Sequence, residues 1–84
     1  MSDLRDNILH EIPEAVVMAL PPLHLALLVD DIVDLCHDEE AVSIVGVRIL
    51  RQRIGGWENV EGYCKVLAAG HARKARTETR GGAL

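Results

Sequence analysis

The chain has no phenylalanine, one tryptophan (Trp57) and one tyrosine (Tyr63) in 84 residues. Without aromatic filler, a core has to be assembled from Leu, Ile, Val and Ala at short range, which suits close packing between helices. Cysteine is equally sparse. Two residues, Cys36 and Cys64, exclude a disulfide-dense scaffold. Each stands among apolar neighbours at helical spacing, where a thiol behaves as a small hydrophobe, so both are expected as reduced core residues. The longest apolar run, from Ala15 to Val29, contains Pro21, Pro22 and His24 and falls short of the ~20 residues that a membrane span needs. The opening Met1–Glu14 stretch is acidic and polar, unlike a secretory leader, so a soluble cytoplasmic protein is expected. No glycine-rich phosphate loop, nucleophile elbow or dinucleotide fingerprint occurs, and with no such machinery neither an enzyme nor a cofactor is expected.

What is present is a split charge. Residues 1–47 carry ten carboxylates against one base, Arg5, whereas residues 48–84 carry eight bases against three acids; the net of −4 hides this. Opposed halves of this kind favour charge-complementary contact, within the molecule or with a partner. The length fits one small domain, which buries only about 60–65% of the surface its unfolded chain exposes. Such a chain often completes its core on a copy of itself, so a homodimer is expected.

Helical periodicity dominates. Ser2 or Asp3 can cap a first helix with Leu4, Ile8 and Ile12 on one face. Pro13 opens a second short helix that ends at the Pro21–Pro22 pair. From residue 22 to residue 36, Leu25, Leu28, Val29, Ile32, Leu35 and Cys36 form a continuous stripe, with Asp30, Asp31 and Asp34 off it. Asp38 is the expected N-cap of a helix over 39–54 whose core face is Val42, Val45, Gly46, Ile49 and Leu50. On that reading Ile44, Val47 and Ile54 point outward as a second apolar face. The β-branched run from Val42 to Ile49 would also suit a strand, but it has no second strand to pair with. Gly55 and Gly56 end the helix. A last helix follows from about Trp57 or Asn59 to Arg76, with Val60, Tyr63, Cys64, Leu67 and His71 on one face and a disordered tail over 77–84. The expected fold is all-α: a compact bundle of four to five short helices, in one domain over 1–76.

Three groups of residues invite a functional reading. Asp30, Asp34 and His37 recur at i, i+4 and i+7, a spacing open to a divalent ion, but they lack the supporting partners that hold the three ligands of a zinc site stiffly and the glycine turn of a calcium loop. An acidic docking face made by Asp30, Asp31 and Asp34 is therefore expected, and no metal. Two basic clusters, Arg48, Arg51 and Arg53, then Arg73, Lys74, Arg76 and Arg80, could neutralise phosphates. Trp57, the sole indole, is either a core plug or an interface anchor. Together these residues point to a small non-enzymatic protein–protein interaction module, one that binds and regulates or inhibits a larger protein, in the manner of phage or mobile-element accessory proteins. Its contact residues are expected to be Asp30, Asp31, Asp34, Ile44, Val47, Ile54 and Trp57. The alternative is a dimeric DNA-binding transcriptional regulator that uses the basic second half.

Overall fold

The computed structural model describes the backbone of residues 3–83 and the side chains of residues 3–72. The described residues form helices and turns, without a strand. Helix α1 (Leu4–Glu11) starts at Asp3, whose carboxylate accepts the Arg5 N–H at 3.1 Å, satisfying one of the four orphan amides of a helix start. Pro13 precedes α2 (Glu14–Ala19), and Pro21 and Pro22 open α3 (Pro22–Glu39), where a missing N–H costs nothing. Helix α4 (Ser43–Ile54) ends at Gly55, whose φ of +82° is open to glycine and strained for other residues. A 3-10 turn over Trp57–Asn59 leads into α5 (Val60–Ala83). The Asn59 amide donates to the Ile54 carbonyl at 2.9 Å and ties this turn to the end of α4.

Helix α3 is the central element and packs against α1, α4 and α5. Its stripe of Leu28, Val29, Ile32, Leu35 and Cys36 meets Ile8 and Ile12 of the α1 segment, Val47 and Leu50 of α4, and Val60 and Cys64 of α5 in one aliphatic core. Both cysteines are free and buried in it. The core contains no buried polar or charged residue among the described residues, so within it the helices are held by hydrophobic burial.

The structure corrects the sequence reading at the third connection. Helix α3 does not stop near residue 36; it runs to Glu39 and ends on Glu40 in the left-handed conformation, with φ +49°. The Ala41 N–H reaches back to the Cys36 carbonyl at 2.9 Å, and the Glu40 N–H points to the His37 carbonyl. These bonds satisfy the last turn, so Asp38 lies within α3 and caps nothing. Helix α4 consequently starts at Ser43, behind Val42, and its phase differs from the expected one. Val47 is buried at 5% exposure and Ile54 packs against the core, whereas Val42 and Val45, expected inside, are exposed at 63% and 37%. Val47 and Ile54 are thus core residues, and the outward apolar face consists of Ile44 and Val45. On α5, Val60, Tyr63, Cys64 and Leu67 face inward or are half-buried, while His71 is exposed. The α5 backbone is helical to Ala83, through the 77–83 stretch that lacks apolar periodicity.

Candidate functional site

The acidic stretch of α3 divides into three fates. Asp30 forms an ion pair with Arg5 of α1. Asp31 accepts a short hydrogen bond from the Tyr63 hydroxyl of α5. Asp34 stays exposed, with no ion pair among the described residues. Two of the three carboxylates expected to meet a partner therefore tie α3 to its neighbours. The described residues include no group of three or more His, Cys, Asp or Glu that could hold a metal ion.

The Tyr63 and Asp31 pair is the main polar junction of the bundle. Burial, and then the hydrogen bond to Asp31, push the Tyr63 phenol from its ordinary 10.0 up to about 12. The positive charge of Arg53 opposes this shift, which places Arg53 on the Tyr63 side of α4. Cys64, beside Tyr63 in the chain, is driven above its ordinary 9.0 by burial and by the charge of Asp31, and Cys36 is raised by burial alone. A buried thiol with a raised pKa is a poor nucleophile, so this junction has the properties of a clasp and lacks an activated group.

The opposite side of α4 has another character. Ile44, Arg48 and Arg51 recur at i, i+4 and i+7 and so lie in one row, with Val45 and Gln52 beside it. All five are exposed. Neither Arg48 nor Arg51 makes an ion pair among the described residues. The two guanidinium-bearing side chains separate two open hollows. One, of about 350 Å³, is bounded by Arg48, Arg51, Gln52, Gly55 and Gly56. The other, of about 180 Å³, lies between α1 and α4 and is bounded by Glu11, Ile44, Val47, Arg48, Arg51 and Trp57. Trp57 is half-buried and packs on the core, yet it lines this hollow and a second one against Val16 and Leu20. Core plug and surface element are here the same residue.

The arginines read from the sequence as one cluster therefore fall on two sides, Arg48 and Arg51 outward and Arg53 toward Tyr63. Arg73, Lys74, Arg76 and Arg80 belong to the α5 backbone, and their side chains lie outside the described ones. Three surface residues, Val42, Val45 and Glu11, lie outside the sequence reading. Helical spacing does not separate Val42 and Val45 from the core because aliphatics surround α4, and Glu11 reaches the hollow only through the packing of α1 on α4. No helix among the described residues is long and apolar enough to cross a membrane. No family model, curated protein or solved structure matches the chain.

Proposed function

We propose that this chain is a non-enzymatic protein–protein interaction module that binds, and thereby regulates or inhibits, a larger protein. The observation that carries this reading is the outer face of α4, where exposed Ile44 and Val45 run into Arg48 and Arg51, which are unpaired among the described residues. Exposed branched aliphatics beside charges without local partners make up a surface with both an apolar anchor and an electrostatic guide. The open form of the adjoining hollows and the raised thiol pKa values favour binding over catalysis. A role as a phage or mobile-element accessory protein, acting in the cytoplasm, is compatible with this reading.

Self-association is part of the proposal. An antiparallel pairing of two α4 faces about a two-fold axis through Arg48 would set that guanidinium against its own copy, whereas an axis near Ile44 would bring Arg48 and Arg51 toward the acidic turn of the copy. Sedimentation of the purified chain is expected to give a dimer, and a strict monomer at high concentration would overturn that part.

The second reading, a DNA-binding regulator, draws on the α3–turn–α4 arrangement, which leaves Arg48 and Arg51 on the outer side of the second helix of the pair. Asp38, Glu39 and Glu40 are exposed at that turn, where they would repel a phosphate backbone approaching the start of α4. Affinity capture from native lysate with the wild-type chain and with an Ile44→Asp, Arg48→Glu variant, followed by reconstitution with the purified partner, tests the first reading. One protein held by the wild type and lost by the variant is expected. Retention of the chain on duplex DNA at physiological salt, with a steep salt dependence, would install the second reading instead.

A further inference from the structure

The charge around the outer face of α4 is polarised along the helix. Asp38, Glu39 and Glu40, exposed in the last turn and cap of α3, precede its N-terminal end; along the face come Ile44 and Val45 and then Arg48 and Arg51, with Glu11 of α1 lining the hollow beside the arginines. From the complementarity of this sequence of charges we infer that the α4 face, with the hollow toward α1, is the docking site for an amphipathic helix of a partner protein lying antiparallel to α4. Its acidic first turn meets Arg48 and Arg51, its branched aliphatics meet Ile44 and Val45, and its basic last turn meets Asp38, Glu39 and Glu40. The inference rests on the interaction-module reading and adds the chemistry and direction of the partner.

Three physical arguments select this occupant. A partner segment needs carboxylates one and two turns from its aliphatic anchors to match the Ile44, Arg48, Arg51 row, and helical spacing provides that register on one face. Acidic residues in a first turn and basic residues in a last turn each suit the helix dipole, so the same charges that match α4 also stabilise the partner helix. The antiparallel direction alone achieves both, because a parallel helix with those favourable ends would bring its acidic turn to Glu39 and Glu40. A second copy of the chain carries the same order of charges on its own α4, and a dimer that dissociates in the Arg48→Glu, Arg51→Glu variant would overturn the inference in favour of self-association. The indole of Trp57, at the edge of the hollow toward α1, provides a fixed wall for an aliphatic side chain entering beside Ile44.

Selection of random amphipathic helical peptides displayed against the folded, immobilised chain tests the inference. Enriched peptides are expected to carry acids in the first turn, aliphatics on one face and bases in the last turn. Their binding is expected to weaken about tenfold or more against the Arg48→Glu, Arg51→Glu variant and against Ile44→Asp, since the charge pairs and the anchor each contribute on that scale. Both arginines are exposed, and the neutral pair Arg48→Gln, Arg51→Gln is the control in case charge reversal disturbs the end of α4; it should weaken binding to a lesser degree. Peptides of reversed polarity, basic first, are expected to gain on the charge-reversed variant. Enriched peptides that bind the variants as tightly as the wild type would overturn the inference. Enrichment of peptides that contact the Asp34 side of α3 would also overturn it, while leaving the interaction-module reading in place. If no peptide is enriched and the chain is retained on duplex DNA, both the inference and the reading fall.

Discussion

The backbone of Gly46 lies so close to the Sγ of Cys36 that a Cβ added at residue 46 would sit nearer to the sulfur than any real Cβ contact. Helices α3 and α4 are in tight contact here, and both residues are buried. The neighbouring Cγ2 of Ile32 stands 3.5 Å from the same position and closes the space from the other side.

The same substitution is therefore expected to have opposite signs at two glycines. Gly46→Ala forces the sulfur or the helices apart and should destabilise by about 1–3 kcal/mol, the usual cost of overpacking. At Gly62 of α5 an added Cβ meets nothing within 4 Å, so Gly62→Ala should stabilise by about 1 kcal/mol through helix propensity alone. Chemical denaturation of both variants checks the pair of signs. In a Cys36→Ala background the penalty of Gly46→Ala should shrink, because the atom it strikes is gone; an unchanged penalty would place the cost in the backbone.

This contact also marks how far the sequence reading could reach. Helix positions followed from capping and stopping residues, as at Asp3, Pro22 and Gly55, because those residues act locally. The spacing places Gly46 and Leu50 in the core, where they lie, but aliphatic residues surround α4 and periodicity alone sets its phase wrongly, so that Val45 and Val47 exchange places. The end of α3 is not legible in the sequence, because Glu40 holds its left-handed cap where glycine is the usual residue. Pairings across the fold, such as Arg5 with Asp30 and Asp31 with Tyr63, depend on how α1 and α5 cross α3, and no spacing within the chain encodes that. They take two carboxylates out of the expected acidic face.

The Tyr63 and Asp31 bond joins residues 32 positions apart and should be visible in stability and in its pH dependence. Tyr63→Phe and Asp31→Asn are each expected to cost about 1 kcal/mol near neutral pH, as for a partly exposed hydrogen bond, and the double variant should cost less than their sum. The Tyr63 phenol holds its proton more tightly in the folded chain, with its pKa raised from 10.0 to about 12. The stability it contributes is thus complete below about pH 10 and is lost as pH rises toward 12. Cys36 and Cys64, both raised from 9.0, begin their loss near pH 9. Denaturation as a function of pH should show a decline from pH 9 onward, and Tyr63→Phe should make it shallower above pH 10 while leaving its onset near pH 9 in place.

The ion pair of Arg5 with Asp30 should behave differently, since the two side chains are 48% and 51% exposed. Exposed pairs are worth at most about 1 kcal/mol and weaken with salt. Arg5→Ala and Asp30→Asn are each expected to change stability by less than about 0.5 kcal/mol in 0.15 M salt. A larger effect in denaturant titrations would mean that Arg5 contributes through packing of its alkyl chain on α3.

Glu40 supplies the last test, because it combines two unfavourable features at one position. It holds a left-handed φ of +49° without being glycine, and it puts a carboxylate at the negative pole of α3 alongside Asp38 and Glu39. Glu40→Gln removes the charge and keeps the side chain, so it should stabilise by only a few tenths of a kcal/mol, and less at high salt. Glu40→Gly relieves both and should stabilise by about 1 kcal/mol, with a salt-independent remainder that measures the left-handed strain. The same two variants also read the docking site. If the carboxylates of this turn hold the basic end of a partner helix, each variant should weaken binding of the selected peptides even as it stabilises the fold, and stability and affinity would then change in opposite directions at a single residue.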